Sequence, residues 1–93
     1  PIHILIVPKK YIQSLATIEE EDQIYLSQIL LASNVIAKMK NIIVSGFRLI
    51  SNCNHDGGQD INYLHFHLLG GCKVGRMISL PKESKQIMKE RNG

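Results

Sequence analysis

Residues 17–40 carry the pattern that most limits how this chain can fold. Thr17-Ile18-Glu19-Glu20 fits a capping box, and Glu19 to Asp22 place negative charge where a helix N-terminus favours it. Ile24, Leu26, Ile29, Leu30, Leu31, Val35, Ile36 and Met39 then keep a wide apolar stripe. Lys38 and Lys40 close it with the sign a C-terminus prefers. The spacing predicts about 23 residues of helix, near 35 Å at 1.5 Å per residue. In a chain of 93 residues that is room for one domain, so the rest of the chain has to cover this helix. A stripe this broad is most often core. A helix apolar over half its surface can also face a second subunit, and a domain this small gains stability from such pairing.

The covering segments read as strands. Residues 2–7 are rich in β-branched side chains and bounded by Pro1 and Pro8, which predicts a short buried strand. His3 interrupts that run, either as a hydrogen-bonded core histidine or as a partner behind a reaction site. Residues 41–46 turn the chain, and residues 47–52 alternate as a second strand. Asn54-His55-Asp56-Gly57-Gly58 is a turn-forming loop, and residues 59–69 predict a third strand. Within it Tyr63, His65 and His67 share one face, and Leu64, Phe66 and Leu68 the other. Gly70 and Gly71 end it. Strand, short glycine-containing loop and strand predict an antiparallel hairpin that brings Asn52 and the Gly57-Gly58 amides to the start of the histidine strand. Residues 81–91 read as a short basic helix, with Pro81 in its first turn and Ile87 and Met88 as its apolar contacts, or as a solvated tail.

Composition excludes several classes. Eleven basic and eight acidic residues leave a net charge of +3, too mild to argue for nucleic acid without interleaved aromatics and arginines. No apolar stretch reaches the roughly 18–20 residues of a membrane span. Residues 2–7 are too short for a signal-peptide core. Cys53 and Cys72 do not make a disulfide scaffold, so a reduced, cytoplasmic setting is expected.

A neutral imidazole is a good nucleophile toward phosphorus near pH 7. A second imidazole two residues along the same face lies roughly 6–7 Å away and can bond a phosphoryl oxygen or protonate a leaving group. Backbone amides of Gly57 and Gly58 can approach a phosphate closely. These parts suit nucleotidyl transfer through a covalent histidine. A zinc site completed by Cys53, His55 and Cys72 uses the same spacing, although no C-x-x-C or H-x-x-x-H accompanies it, and so do two merely solvated histidines.

Gly46-Phe47-Arg48, Asn52, Asp56-Gly57-Gly58-Gln59 and the run Y-L-H-F-H-L-L-G-G at residues 63–71 together resemble the histidine triad (HIT) superfamily, and most closely its Hint branch of nucleoside phosphoramidate hydrolases. Residues 1–10, P-I-H-I-L-I-V-P-K-K, are similar to that family's strand before the long helix. The likeness covers about residues 1–76, leaving 77–93 as a basic tail. It implies an α+β fold, an antiparallel sheet with one long helix, completed by homodimerisation. It implies a hydrolase of purine nucleoside phosphoramidates or phosphate esters that needs no metal or cofactor; the alternative is a non-catalytic HIT domain that binds nucleotide or a protein partner. His65 matches the nucleophile and His67 the histidine that contacts the phosphate and helps the leaving group. The main-chain carbonyl of Tyr63 matches the group that orients the nucleophile. Asn52 and Gly58 match positions lining the phosphate and ribose site, Asp60 a nucleotide-binding position near the leaving group, Leu5 a wall of the nucleoside pocket, and His3 a histidine behind the triad.

The chain departs from that pattern in four places. Tyr63 stands where the first triad histidine would be, and its phenol cannot act as a cation near neutral pH. Asp60 replaces a serine; an ionised carboxylate about 4 Å from a phosphate opposes binding by roughly 4 kcal/mol at an effective dielectric near 20, and a cationic leaving amine reverses that. The tail lacks the family's tryptophan-proline ending. The family's first helix, two strands and ribose-binding aspartate would precede Pro1, so a fragment or a reduced form is expected, with an open sheet edge.

Overall fold

Strand β1 (Ile2–Ile6) runs up to Val7-Pro8 in the computed structural model, which describes residues 1–75. Its burial alternates: Ile2, Ile4 and Ile6 turn inward, while His3 and Leu5 are exposed. The strand is therefore half-buried, not fully buried, and His3 is not a core histidine. The imidazole lies on the open face of the sheet.

The helix begins later than its capping pattern predicts. Ser14, not Thr17, opens the first turn: its hydroxyl accepts from the Ala16 amide at 3.1 Å, and the Thr17 hydroxyl accepts from the Ser14 amide at 3.2 Å. That box closes a single 3₁₀ turn, Leu15–Thr17, and uses up the Thr17 side chain. Ile18 is extended, and a second 3₁₀ turn, Glu20–Asp22, follows. Asp22 is buried, accepts from the Glu19 amide at 3.0 Å and is bonded to the Lys10 ammonium. The Lys10 hydrogen bond, and then the Glu19 amide, hold its carboxyl below the usual range.

Helix α1 (Gln23–Met39) has 17 residues, about 25 Å. Its end has a physical stop. Asn41 takes φ +60°, and the amides of Asn41 and Ile42 donate to the carbonyls of Lys38 and Ala37 at 3.1 and 2.9 Å. This is a Schellman motif with asparagine at the left-handed position.

Strands β2 (Phe47–Ile50) and β3 (Phe66–Gly70) complete an antiparallel sheet in the order β1-β3-β2. The register pairs Ile4 with Leu68 and Leu68 with Leu49, so the histidine-bearing strand is central. One face of the sheet meets α1, where Ile6, Ile29, Ala37, Ile42 and Leu68 form the core. Ile29, Ser33 and Ala37, four residues apart, form the buried stripe of α1. A Cβ on Gly70 would meet Ile42 Cδ1 at 2.7 Å, so glycine there lets Ile42 close the end of the core. The opposite stripe of α1 stays apolar but exposed: Ile24, Leu31, Val35 and Met39.

The third strand is shorter than its alternation suggests. Residues 59–65 lie off the ladder, so β2 and β3 are antiparallel neighbours joined by the long connection 51–65, not by a short hairpin loop. Tyr63 and Leu64 bond instead to the segment after β1: Leu64, fully buried, donates its amide to Ile12 at 2.7 Å. The tail 77–93, with the expected helix or solvated segment at 81–91, lies outside the described residues. Among the described residues no helix is long and apolar enough to cross a membrane.

Candidate active site

The open face of the sheet gathers the imidazoles. Register places Leu5 and Ile50 on either side of His67, with His3 and Leu69 paired one step along. His3 Nε2 lies 2.8 Å from His67 Nδ1, so one ring donates and the other accepts. When His3 donates, His67 is left with Nε2–H facing outward. The His65 and His67 rings meet edge-on with centroids 5.1 Å apart, and His3 and His67 are separated by the same 5.1 Å. His65, His67 and His3 thus form one continuous row.

His65 precedes β3, and two hydrogen bonds fix it. Its Nδ1 lies 2.7 Å from the main-chain carbonyl of Tyr63. A carbonyl only accepts, so Nδ1 carries the proton and Nε2 holds the lone pair of the neutral ring. The carbonyl of His65 accepts from the Ser51 hydroxyl at 2.9 Å, which ties the ring to the end of β2. The side chain of Tyr63 turns away from the row: its hydroxyl donates to the Pro8 carbonyl at 2.7 Å. Its ring meets Tyr11 edge-on at 5.3 Å. The three side chains expected on one strand face are therefore two imidazoles and a phenol pointing elsewhere.

Burial pushes His67 below its ordinary value of 6.5; the neighbouring charges of His65 and then His3 add to this, while Asp60 opposes it. Asp60 is exposed, and its charge is felt at the row. A neutral His67 can accept or donate one hydrogen bond at physiological pH without an ionised neighbour.

The connection 51–65 leads into the row as a small bonded loop. Asn52 Nδ2 donates to the Gly57 carbonyl at 2.7 Å, bringing Asn52 to Gly57-Gly58 as the sequence predicts. Gly58 has φ +78°, the left-handed conformation that favours glycine, and its amide donates to His55 at 3.0 Å. That amide is engaged in the turn and is not free for a phosphate. A Cβ at Gly57 would overlap the Cys53 carbonyl oxygen and lie 2.8 Å from its nitrogen. Only glycine fits there.

Two supporting residues carried no assigned role in the sequence reading. Ser51 is one. Gln59 is the other: its carboxamide accepts from the Asn54 amide at 2.8 Å and donates to the carbonyls of Gln13 and Ile61 at 2.8 and 2.9 Å. One side chain thus joins the loop to the segment ahead of α1. Its position directly after Gly-Gly was the only signal. Cys53 is half-buried, Cys72 is exposed, and both are free thiols. Among the described residues no three histidine, cysteine, aspartate or glutamate side chains come together to hold a metal, so the proposed zinc donors are not assembled.

Comparison with known proteins identifies the family. The HIT domain family model matches residues 1–74. A HIT-like protein of Buchnera aphidicola is 47% identical over 74 residues, covering 80% of this chain and 65% of that protein. The purine nucleoside phosphoramidase of Escherichia coli is 37% identical over 79 residues, covering 85% of this chain and 66% of the enzyme. A HIT family hydrolase from Legionella pneumophila superposes with a TM-score of 0.80 at 35% identity, over 83% of this chain and 69% of that one. The chain spans about two thirds of the length of the curated relatives it matches.

Proposed function

The chain belongs to the HIT domain family, and on that premise we propose that it is a nucleotide hydrolase acting on purine nucleoside phosphoramidates or phosphate esters through a nucleotidyl-His65 intermediate. The observation that carries this reading is the bond from His65 Nδ1 to the Tyr63 carbonyl, which leaves Nε2 as the nucleophilic atom.

In the first step Nε2 of His65 attacks the α-phosphorus. A nitrogen–phosphorus bond forms, and the bond to the leaving amine or alcohol breaks with its electron pair on the leaving group. His67 is neutral in the free protein, and a bound phosphate's negative charge draws a proton onto it. That imidazolium donates Nδ1–H to His3 and hands its Nε2 proton to the leaving group. In the second step His67 takes a proton from water, hydroxide attacks phosphorus, and the bond to His65 breaks to release the nucleoside monophosphate. Leu5, exposed beside His67, is proposed as an apolar wall for the nucleoside. Asn52 and Gly58 are proposed to shape the phosphate and ribose side, with Gly58 acting through the turn it permits.

The exposed apolar stripe of α1 supports a homodimer, and the two free thiols support a reducing, cytoplasmic setting. Trapping with adenosine phosphoramidate labelled at phosphorus tests the reaction. Label on the wild type and none on His65→Ala is expected; no label on the wild type, or equal label on both, removes the reading. The second reading, a HIT domain that binds nucleotide without turnover, is favoured by the charge of Asp60 beside the histidine row. Calorimetry showing nucleotide binding without product would select it.

A further inference from the structure

The phenol of Tyr63 has a partner and a place that a lost catalytic group would not need. Strand β3 starts at Phe66, so no ladder bond holds the main chain at residue 63. Yet the carbonyl of that residue is the group that sets the proton of His65. Three contacts hold it in place. The Tyr63 amide donates to the Ile61 carbonyl at 2.8 Å, and the Leu64 amide to Ile12 at 2.7 Å. The phenol reaches to the Pro8 carbonyl at 2.7 Å, with Lys9 a weaker second acceptor at 3.4 Å. Pro8 is buried just beyond the end of β1, the strand that carries His3.

We propose that Tyr63 is a positioning residue for the candidate nucleophile. By anchoring on Pro8 its hydroxyl holds the residue-63 carbonyl against His65 Nδ1 and so keeps the imidazole in one tautomer, with the lone pair on Nε2. The phenol needs no charge to do this, because it acts only as a donor. In its absence the ring still packs on Tyr11, and the Leu64 amide still holds the shared peptide plane through Ile12. The anchor on Pro8 is lost, however, the carbonyl is held less tightly against Nδ1, and His65 samples the Nε2–H form, which has no lone pair there. The substitution of tyrosine for the first triad histidine therefore changes how the nucleophile is held without removing it.

This inference rests on the hydrolase reading for its kinetic consequence but not for its structural one, and the experiment separates the two. Long-range proton–nitrogen spectra of ¹⁵N-histidine-labelled protein, with His65 assigned by its loss in His65→Ala, report the tautomer directly. The wild type is expected to show His65 as Nδ1–H alone. Tyr63→Phe is expected to show a mixture of tautomers, and a kcat lower by about three- to tenfold at unchanged KM, the size of one lost hydrogen bond. Should the phenylalanine variant not fold, 4-fluorophenylalanine incorporated at residue 63 keeps the ring and fills the place of the hydroxyl without donating, and reads the same loss. A wild-type His65 in the Nε2–H form overturns the inference without any variant. So does a folded variant whose tautomer matches the wild type. If the wild type turns over no phosphoramidate, the hydrolase reading fails on that result and the spectra alone decide the role of Tyr63.

Discussion

Between His67 and Asp60 two opposing effects meet on one ring. Burial and the adjacent imidazoles favour the neutral form, and the carboxylate favours the cation. Asp60→Asn removes the second effect alone. His67 should then titrate at lower pH than in the wild type, read from its ring proton shifts by NMR. With a neutral leaving group kcat/KM should rise, on the order of tenfold, because the carboxylate no longer repels the phosphate. With a cationic leaving amine it should fall. The sign for stability follows from the lowered value of His67. The unfolded chain binds a proton near 6.5 and the folded chain only below that. Stability is therefore full above about pH 6.5 and declines as the pH drops through the window toward the folded value. Urea midpoints measured between pH 7.5 and pH 5 should fall, and His67→Asn should flatten that part of the profile.

Elements, unlike single rings, are held by backbone and packing. Gly57→Ala places a methyl group on the main chain of Cys53, which cannot move aside as a side-chain tip can. The loop should reshape and release the Asn52–Gly57 bond, lowering kcat/KM by about a hundredfold, with little loss of global stability because the loop is exposed. Leu68→Ala should do the reverse. It removes a fully buried side chain at the centre of β3 and should cost about 2–5 kcal/mol in urea melts. The sequence made some of these elements legible and hid others. The β-branched run between prolines reported β1, and the alternation around His67 reported β3, because both patterns follow from one buried face. The Thr17-Ile18-Glu19-Glu20 pattern misreported the start of α1 because Ser14 had already bonded the Thr17 hydroxyl into a tighter turn. Residues 59–65 alternate as a strand does, yet the phenol of Tyr63 and the carboxamide of Gln59 bond to segments more than forty residues away. No local pattern encodes a bond of that range. The histidine pair and the Asn52–Gly57 neighbourhood were readable from spacing; the engaged amide of Gly58 was not.

For the molecule as a whole, the largest exposed apolar feature of the helix lies along the outer stripe of α1. Its outer stripe exposes Leu31 at 68% and Met39 at 76%, directly opposite the face that packs on the sheet. If a second copy covers that stripe, Leu31→Asp with Val35→Asp should convert a dimer to a monomer in sedimentation velocity, and leave the circular dichroism of the helix unchanged. A monomeric wild type would remove the dimer from the proposal. The order β1-β3-β2 has a different consequence. A strand bonded on both sides belongs to the most protected part of a fold, and its amides open to solvent at close to the cost of global unfolding. His67 and Leu68 should then be among the last amides to exchange with deuterium, at rates that track global unfolding. Displacement of His67 and loss of the fold would be one event, so no partly opened form of this protein should keep that imidazole in place while β3 is released.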